Sequence, residues 1–351
     1  MTATRLPDKR FSSAIAVDIL GIEPTGDCGR LPRNGAETGL KAVSVIIPAH
    51  DAARTIARTL ASLASEKEVI GEMLLVDDSS SDATDAVATE AALRLALPLR
   101  VIKSNCRDVG GARNLALEQA CFPWIYLIDA DDLHLEGGLR MMLATAAEAR
   151  SGVDMVVGAY RRCVDGEERS TKMPASYTAS GPANACAYLE GRIRSIAVGS
   201  ALVSRRLVGE TRFATGLAYD EDTLFWARVM ARASLAVVTQ PIFVYLVSTQ
   251  RSDGRFTIRP AGRFLEWRRA LRGLRSCGIA ERSLKIREGL VALKIARVHY
   301  ASGDFDMAAR FLGVAEAAPR AGSDIWRCIR YRLKIALRRR FRGPATLLQR
   351  A

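Results

Sequence analysis

The stretch from Val43 to Ile128 predicts an α/β fold, a mostly parallel sheet with helices on both faces. Three observations carry this. Short β-branched runs alternate with segments of helical spacing. Each run is apolar throughout rather than at every second residue, as strands buried on both faces are. Polar residues cluster directly after each run, where the carboxyl ends of parallel strands would lie.

Val43-Ser-Val-Ile-Ile47 is the first strand and ends at Pro48. Ile56, Leu60 and Leu63 give Arg54 to Ser65 a helical face. Met73 to Val76 is a second strand, Asp82 to Leu97 an alanine-rich helix, and Leu99 to Ile102 a third strand. A helix from Ala112 to Cys121 leads to the strand Trp124 to Ile128. Farther on, Gly138–Ala149 and Leu224–Ala233 read as helices, and Met155–Ala159 and Leu235–Tyr245 as strands. Arg161 to Gly191 is polar, rich in turn residues, and has no clear period. After Arg255 the chain becomes helical and basic, with a helical hairpin around Gly303-Asp-Phe-Asp306. Met1 to about Lys41 mixes Pro, Gly and charge with one short apolar stretch, and is expected to be a mostly disordered leader.

The chain has 351 residues and a formal net charge of +13, which favours anionic partners such as phosphate-bearing substrates or an anionic membrane. It contains no recognisable nucleic-acid-binding module, so nucleic acid is not an expected partner. Seven cysteines lie singly without a Cys-x-x-Cys pair, which predicts reduced thiols rather than a disulfide framework or structural zinc. The amino terminus lacks the apolar core of a signal peptide, and no stretch approaches about 18 uninterrupted apolar residues. A cytoplasmic protein is expected.

Asp129-Ala-Asp-Asp132 is the densest chemical signal. Three carboxylates in four residues repel one another unless a cation or a set of donors compensates them. An oxygen-ligated Mg²⁺ or Mn²⁺ bridging to substrate phosphates is the natural compensator. Asp82 and Ser81 read first as helix caps. Gly110-Gly111 permits close backbone approach at a helix start, from which Arg113 would reach a phosphate or orient a carboxylate. No Gly-x-x-x-x-Gly-Lys-Ser/Thr loop and no Gly-x-Gly-x-x-Gly after the first strand is present.

Taken together, Val43-Ser-Val-Ile-Ile-Pro-Ala-His-Asp51, Leu74-Leu-Val-Asp-Asp-Ser-Ser-Ser-Asp82, Gly111-Ala-Arg-Asn114 and Tyr126-Leu-Ile-Asp-Ala-Asp-Asp132 resemble the family 2 glycosyltransferases in order and spacing. Arg212-Phe213 and Tyr219-Asp-Glu-Asp-Thr-Leu-Phe225 extend the resemblance, which covers roughly Val43 to Thr249. It implies a GT-A fold over residues 42–255, with a nucleotide-binding half (42–135) and an acceptor half (136–255). A basic α-helical extension, 256–351, would follow. It also implies inverting transfer of a sugar from a nucleotide-diphosphate donor to a glycan or lipid-linked acceptor, in polysaccharide or glycoconjugate synthesis.

Residue by residue, the resemblance places Pro48, His50 and Asp51 around the nucleotide pocket, and Asp78 at the edge of the base. Asp129 and Asp131 would bind ribose and the metal, with Asp132 sharing that role; Arg113 belongs to the donor pocket. Asp222 would be the general base, with Glu221 as its competitor. Ser79 and Ser81 depart from the commoner glycine and threonine. Arg251-Ser252 resembles a loop that closes on the diphosphate.

Two other readings compete. A nucleotidyltransferase of similar sheet architecture would carry a glycine-rich segment with Arg and Lys after the first strand, which is absent. A non-catalytic binding or assembly subunit would not need its acidic blocks intact. In the tail, Trp326, Ile329, Leu333 and Leu337 share one face of a helix over Asp324–Arg340, beside Arg327, Arg330, Lys334 and Arg338. This suits packing on the main domain or peripheral contact with the inner face of the plasma membrane.

Overall fold

A computed structural model describes residues 42–149, 152–194, 196–217, 219–247, 260–319 and 322–341. The expected leader and the Arg251-Ser252 loop lie outside these residues. Among the described residues, nine strands form a single sheet in the order β3-β2-β1-β4-β8-β6-β9-β5, with β7 paired to β6.

The strands are β1 (Val43–Ala49), β2 (Ile70–Asp78), β3 (Leu99–Ser104), β4 (Trp124–Leu127), β5 (Leu133–His134), β6 (Met155–Val164), β7 (Glu167–Lys172), β8 (Ala201–Ser204) and β9 (Leu235–Val247). β3, β2, β1 and β4 are mutually parallel, the arrangement that the alternating pattern predicts. The second half is mixed. β8 is antiparallel to β4 and β6, β5 is antiparallel to β9, and β6 runs parallel to β9.

Helices α1 (Ile56–Leu63), α2 (Thr84–Leu95) and α4 (Gly138–Glu148) cover one face. The other carries α3 (Val109–Gln119), α5 (Gly181–Leu189), α6 (Arg205–Val208) and α7 (Glu221–Met230). α8 (Pro260–Arg272), α9 (Glu281–Ala301), α10 (Phe305–Ala317) and α11 (Gly322–Phe341) follow. Strand pleating divides β1 between two cores: Val43, Val45 and Ile47 enter one, and Ile46 the other. The one polar residue of β1, Ser44, donates to Glu72 Oε1 at 2.7 Å and accepts from the Phe122 amide at 3.1 Å. This buried pair is therefore satisfied at the end of the sheet away from the site.

The basic C-terminal helices are built into the same core as α3, α5 and α7. Phe264, Trp267, Ala292, Ile295, Phe311, Cys328 and Ile335 all belong to it. The α9–α10 hairpin lies where the sequence predicts, and Asp304 caps α10 by accepting from the Met307 amide at 3.1 Å. The uncertain segment 161–191 resolves into the end of β6, the hairpin strand β7 and α5, capped by Ser180. Cys106, Cys163, Cys186, Cys277 and Cys328 are free thiols, as expected. Cys121 is the correction, being disulfide-bonded.

Candidate active site

From β1 the chain runs outward to β2 and β3, then returns to β4 on the other side of β1. That reversal opens a crevice at the carboxyl ends of β1 and β4, the place where open α/β sheets bind ligands. A cleft of ≈ 1830 Å³ lies there, and its lining includes Pro48, His50, Asp51, Asp78, Arg113, Asp129, Asp131, Asp132, Glu221 and Asp222. All ten residues singled out in the sequence thus share one cavity.

The first wall is a pair of interlocked loops. Asp51, with a left-handed backbone (φ 49°), accepts from the Ser81 amide at 2.7 Å and the Ser81 hydroxyl at 3.1 Å. The Ser81 amide is the main cause holding the Asp51 carboxyl below its ordinary range. Asp82 accepts from the Thr84 amide at the start of α2 and from the Ala53 amide, both at 3.1 Å. The N-cap of α2 is Ala83 rather than the expected Asp82 or Ser81, and Asp82 instead ties the start of the helix to the loop after β1. His50 is exposed, and its Nδ1 lies 2.7 Å from the Asp78 carbonyl oxygen, so it forms pocket wall.

Asp78 is buried at the end of β2, where its two oxygens accept from the Arg107 amide at 3.0 Å and the Asp108 amide at 2.8 Å. In this structure Asp78 pins the loop after β3, and only its remaining lone pairs are left for a base edge. That loop leads into α3, whose cap Asp108 accepts from the Gly111 amide at 2.6 Å and the Gly216 amide at 2.9 Å. Gly110 sits in close quarters: a Cβ there would lie 3.0 Å from the Ala214 carbonyl oxygen and 3.2 Å from Phe213 Cβ, so a larger residue would have to push its neighbours aside.

Arg113 joins the two sides of the cleft. Only 3% exposed, it donates through Nη2 to Asp129 Oδ1 at 2.8 Å and through Nη1 to Glu221 Oε1 at 3.1 Å. Its guanidinium carbon sits 5.2 Å from the centre of the Phe213 ring, which stacks on Phe225 at 3.9 Å. The next residue, Asn114, exchanges hydrogen bonds of 2.9 and 2.8 Å with the Phe213 carbonyl and amide. Two motifs about a hundred residues apart in sequence are thereby clipped together.

The acidic run divides in two. Asp129 is 31% exposed and lines the cleft together with Asp131. Asp132 is only 1% exposed, and its Oδ1 accepts from the Leu246 amide at 2.8 Å. Burial, then the charges of Asp129 and Asp131, push its carboxyl up to about 9. Asp132 thereby ties this loop to β9 while also lining the cleft.

Among the described residues, no group of three or more His, Cys, Asp or Glu side chains is gathered as a complete metal site. Two carboxylates beside a phosphate-sized space are what a magnesium-type ion requires, since substrate oxygens and water complete its octahedron. Beyond its burial, the Asp132 carboxyl is raised by the charges of Asp129 and Asp131, a repulsion that a cation held by those two carboxylates would relieve. On both counts Asp129 and Asp131 fit a divalent ion.

On the opposite side, α7 begins with Asp220, Glu221 and Asp222. Glu221 is held by Arg113. Asp222 accepts from the Thr223 amide at 2.7 Å, and its carboxyl is pushed up to about 6 by burial, then by Glu221 and Asp220, against the lowering effect of Arg113. Asp220 has a left-handed backbone (φ 67°). Arg287 of α9 grips both of its oxygens, one through Nε at 2.9 Å, and Trp267 of α8 donates to it at 3.2 Å. Arg287 also donates to Thr223 Oγ1 at 3.0 Å. Sequence reasoning missed Arg287 and Trp267, because nothing distinguishes this arginine from its many neighbours before the fold brings it back to α7.

Residues 44–208 match the family model described as Glycosyl transferase family 2. The succinoglycan biosynthesis protein ExoO of Rhizobium meliloti is 35% identical over 114 residues, 32% of this chain and 32% of that protein. The UDP-Glc:alpha-D-GlcNAc-diphosphoundecaprenol beta-1,3-glucosyltransferase WfgD of Escherichia coli is 29% identical over 119 residues, 34% of this chain and 45% of that protein. The similarity thus spans less than half of either relative's length. Among solved structures, S. aureus TarS 1–349 in complex with UDP-GlcNAc superposes with a TM-score of 0.56 at 18% identity, over 78% of this chain and 81% of that one. At this identity the likeness concerns the fold, which is the GT-A arrangement.

Proposed function

The chain carries a family 2 glycosyltransferase domain, and from that premise we propose that it is a metal-dependent, inverting transferase moving a sugar from a nucleotide diphosphate to an acceptor hydroxyl. One observation carries this reading: Arg113 bridges Asp129 on one wall of the cleft and Glu221 on the other, with Asp222 beside it. The residues proposed for the leaving-group side and those proposed for the base side thus line one cleft.

The diphosphate would occupy the β1–β4 crevice, where Asp129 and Asp131 would hold a divalent ion, Mn²⁺ or Mg²⁺. When bound, such an ion would neutralise the charge building on the leaving diphosphate. Arg113 holds the Asp129 and Glu221 carboxylates in place. Asp222, with its carboxyl near 6, is charged at neutral pH yet more basic than an ordinary aspartate, as a general base should be. It takes the acceptor hydroxyl proton as that oxygen bonds to the anomeric carbon. The bond from that carbon to the phosphate oxygen breaks, and the nucleoside diphosphate departs with the electron pair. Attack from the face opposite the diphosphate inverts the anomeric configuration. Asp222 then returns its proton to water.

An acceptor on a growing glycan or a lipid carrier, and a role in polysaccharide or glycoconjugate synthesis, are supported by the similarity to ExoO and WfgD. The purified chain should release nucleoside diphosphate from a nucleotide sugar when Mn²⁺ or Mg²⁺ is added. Asp131→Ala or chelation should abolish release, and release that survives both would sink the metal-centre reading.

A further inference from the structure

α11 packs on the protein through Cys328 and Ile335, which are buried, with Tyr331 half-buried beside them. At about 100° per residue, Trp326, Ile329, Leu333 and Leu337 fall on the face directly opposite. They are 73%, 41%, 61% and 56% exposed. The sequence predicts this stripe but leaves it free to pack inward. Instead the helix turns its small buried face to the core and its large apolar face to the outside. The stripe spans about 17 Å.

What borders the stripe identifies what covers it. Residues 322–341 hold seven arginines and lysines and one acidic residue, Asp324. Arg327, Arg330, Lys334 and Arg338 line one flank of the apolar face. Arg297 of α9 joins Arg327, Arg330 and Tyr331 around a separate cleft of ≈ 260 Å³, far smaller than the catalytic one. An apolar stripe beside converging guanidiniums matches the cross-section of an anionic bilayer surface, with acyl chains beneath a plane of phosphates. A second copy of this chain would set two basic rows against each other. The segment 1–41 is close to neutral and offers no complementary charge. No helix among the described residues is long and apolar enough to cross a membrane.

We propose that α11 is an interfacial helix that lays Trp326, Ile329, Leu333 and Leu337 into an anionic lipid surface. The Arg297–Arg327–Arg330 cleft receives lipid phosphate. This stands on surface geometry alone and does not depend on the transferase reading.

Trp326 offers a direct probe. The other tryptophans, Trp124, Trp226 and Trp267, are buried, so a change in intrinsic fluorescence on adding vesicles reports on Trp326. The full chain should co-sediment with vesicles of equal parts phosphatidylcholine and phosphatidylglycerol, with a blue-shifted emission. It should not do so with phosphatidylcholine alone. Arg327→Gln with Arg330→Gln should weaken binding about 30-fold, and added salt should weaken it further. Trp326→Ser with Leu333→Ser should weaken it at least about tenfold while circular dichroism and thermal unfolding remain unchanged. Inorganic phosphate that competes no better than chloride at equal ionic strength separates lipid headgroups from the free ion. Equal binding to neutral vesicles, or indifference to both double variants, overturns the proposal. So does a concentration-dependent dimer that Trp326→Ser/Leu333→Ser dissolves.

Discussion

Replacing Arg113 by Met preserves most of the side-chain volume and removes the cation between the two walls of the cleft. Two charge-assisted hydrogen bonds disappear, at 2.8 Å to Asp129 and 3.1 Å to Glu221. Removing one partner of a buried ion pair costs about 3–5 kcal/mol, because the other charge stays behind unpaired. Asp129 retains partial access to water and can rehydrate, which places the cost at the lower end, about 3 kcal/mol. For a chain of this size that lowers Tm by roughly 4 °C. The same loss has a chemical signature. Arg113 is the cation that restrains the Asp222 carboxyl, so without it that carboxyl rises above its value of about 6. A base must be ionised to act, so the acidic limb of kcat/KM moves to higher pH in Arg113→Met. Thermal unfolding by circular dichroism and a pH series of donor turnover measure the two effects. Adding Glu221→Gln removes one unpaired carboxylate and should recover part of the stability, a coupling that a double-mutant cycle isolates. An unchanged Tm together with an unmoved acidic limb would refute the reasoning.

Three further outcomes follow from the same geometry. Asp222→Asn should lower turnover by about 10²–10⁴-fold while sparing nucleotide binding. The native Asp222 carboxyl is raised from 3.8 to about 6, so its favourable contribution is full below pH 3.8 and lost as pH rises through 6. The Asn variant should therefore be more stable than the parent near pH 8, by about 1–3 kcal/mol, with the gap closing near pH 4 in urea titrations. Arg287→Met leaves Asp220 without its principal cation and should cost about 3 kcal/mol. It should depress kcat more than donor affinity, and pairing it with Asp220→Asn should restore part of both; a loss confined to donor affinity would contradict a role at the base side. Asp78→Asn gives up one of two carboxylate acceptors for the amides of Arg107 and Asp108. About 1–3 kcal/mol of stability should go with it, and hydrogen exchange at those amides should quicken.

The parallel half of the sheet was legible because its strands are buried on both faces and so are apolar at every position, as in Val45-Ile-Ile47. The acidic loops were legible because carboxylates crowd together only where something compensates them. β7 escaped notice since Glu167–Lys172 is an edge strand whose polar residues show no apolar alternation. The Asp165-Gly166 pair before it, with both residues at positive φ, was the available signal for a hairpin turn. The partition of Asp129 to Asp132 was not readable from adjacency, because it depends on β9 offering the Leu246 amide to one carboxyl. Arg287 could not be singled out, since its meaning comes from a contact 67 residues away in sequence.

That contact changes what counts as the smallest working piece of this protein. A chain cut after residue 255, at the end of the family-like region, would retain the acidic residues of the cleft from Asp51 to Asp222 but lose Glu266. It would also lack Trp267 and Arg287, leaving Asp220 without their hydrogen bonds at the start of the helix that carries the base. Such a fragment should still hold a nucleotide but aim its base poorly. For anyone grafting this half-site onto another scaffold, the portable unit runs through α9, to Ala301.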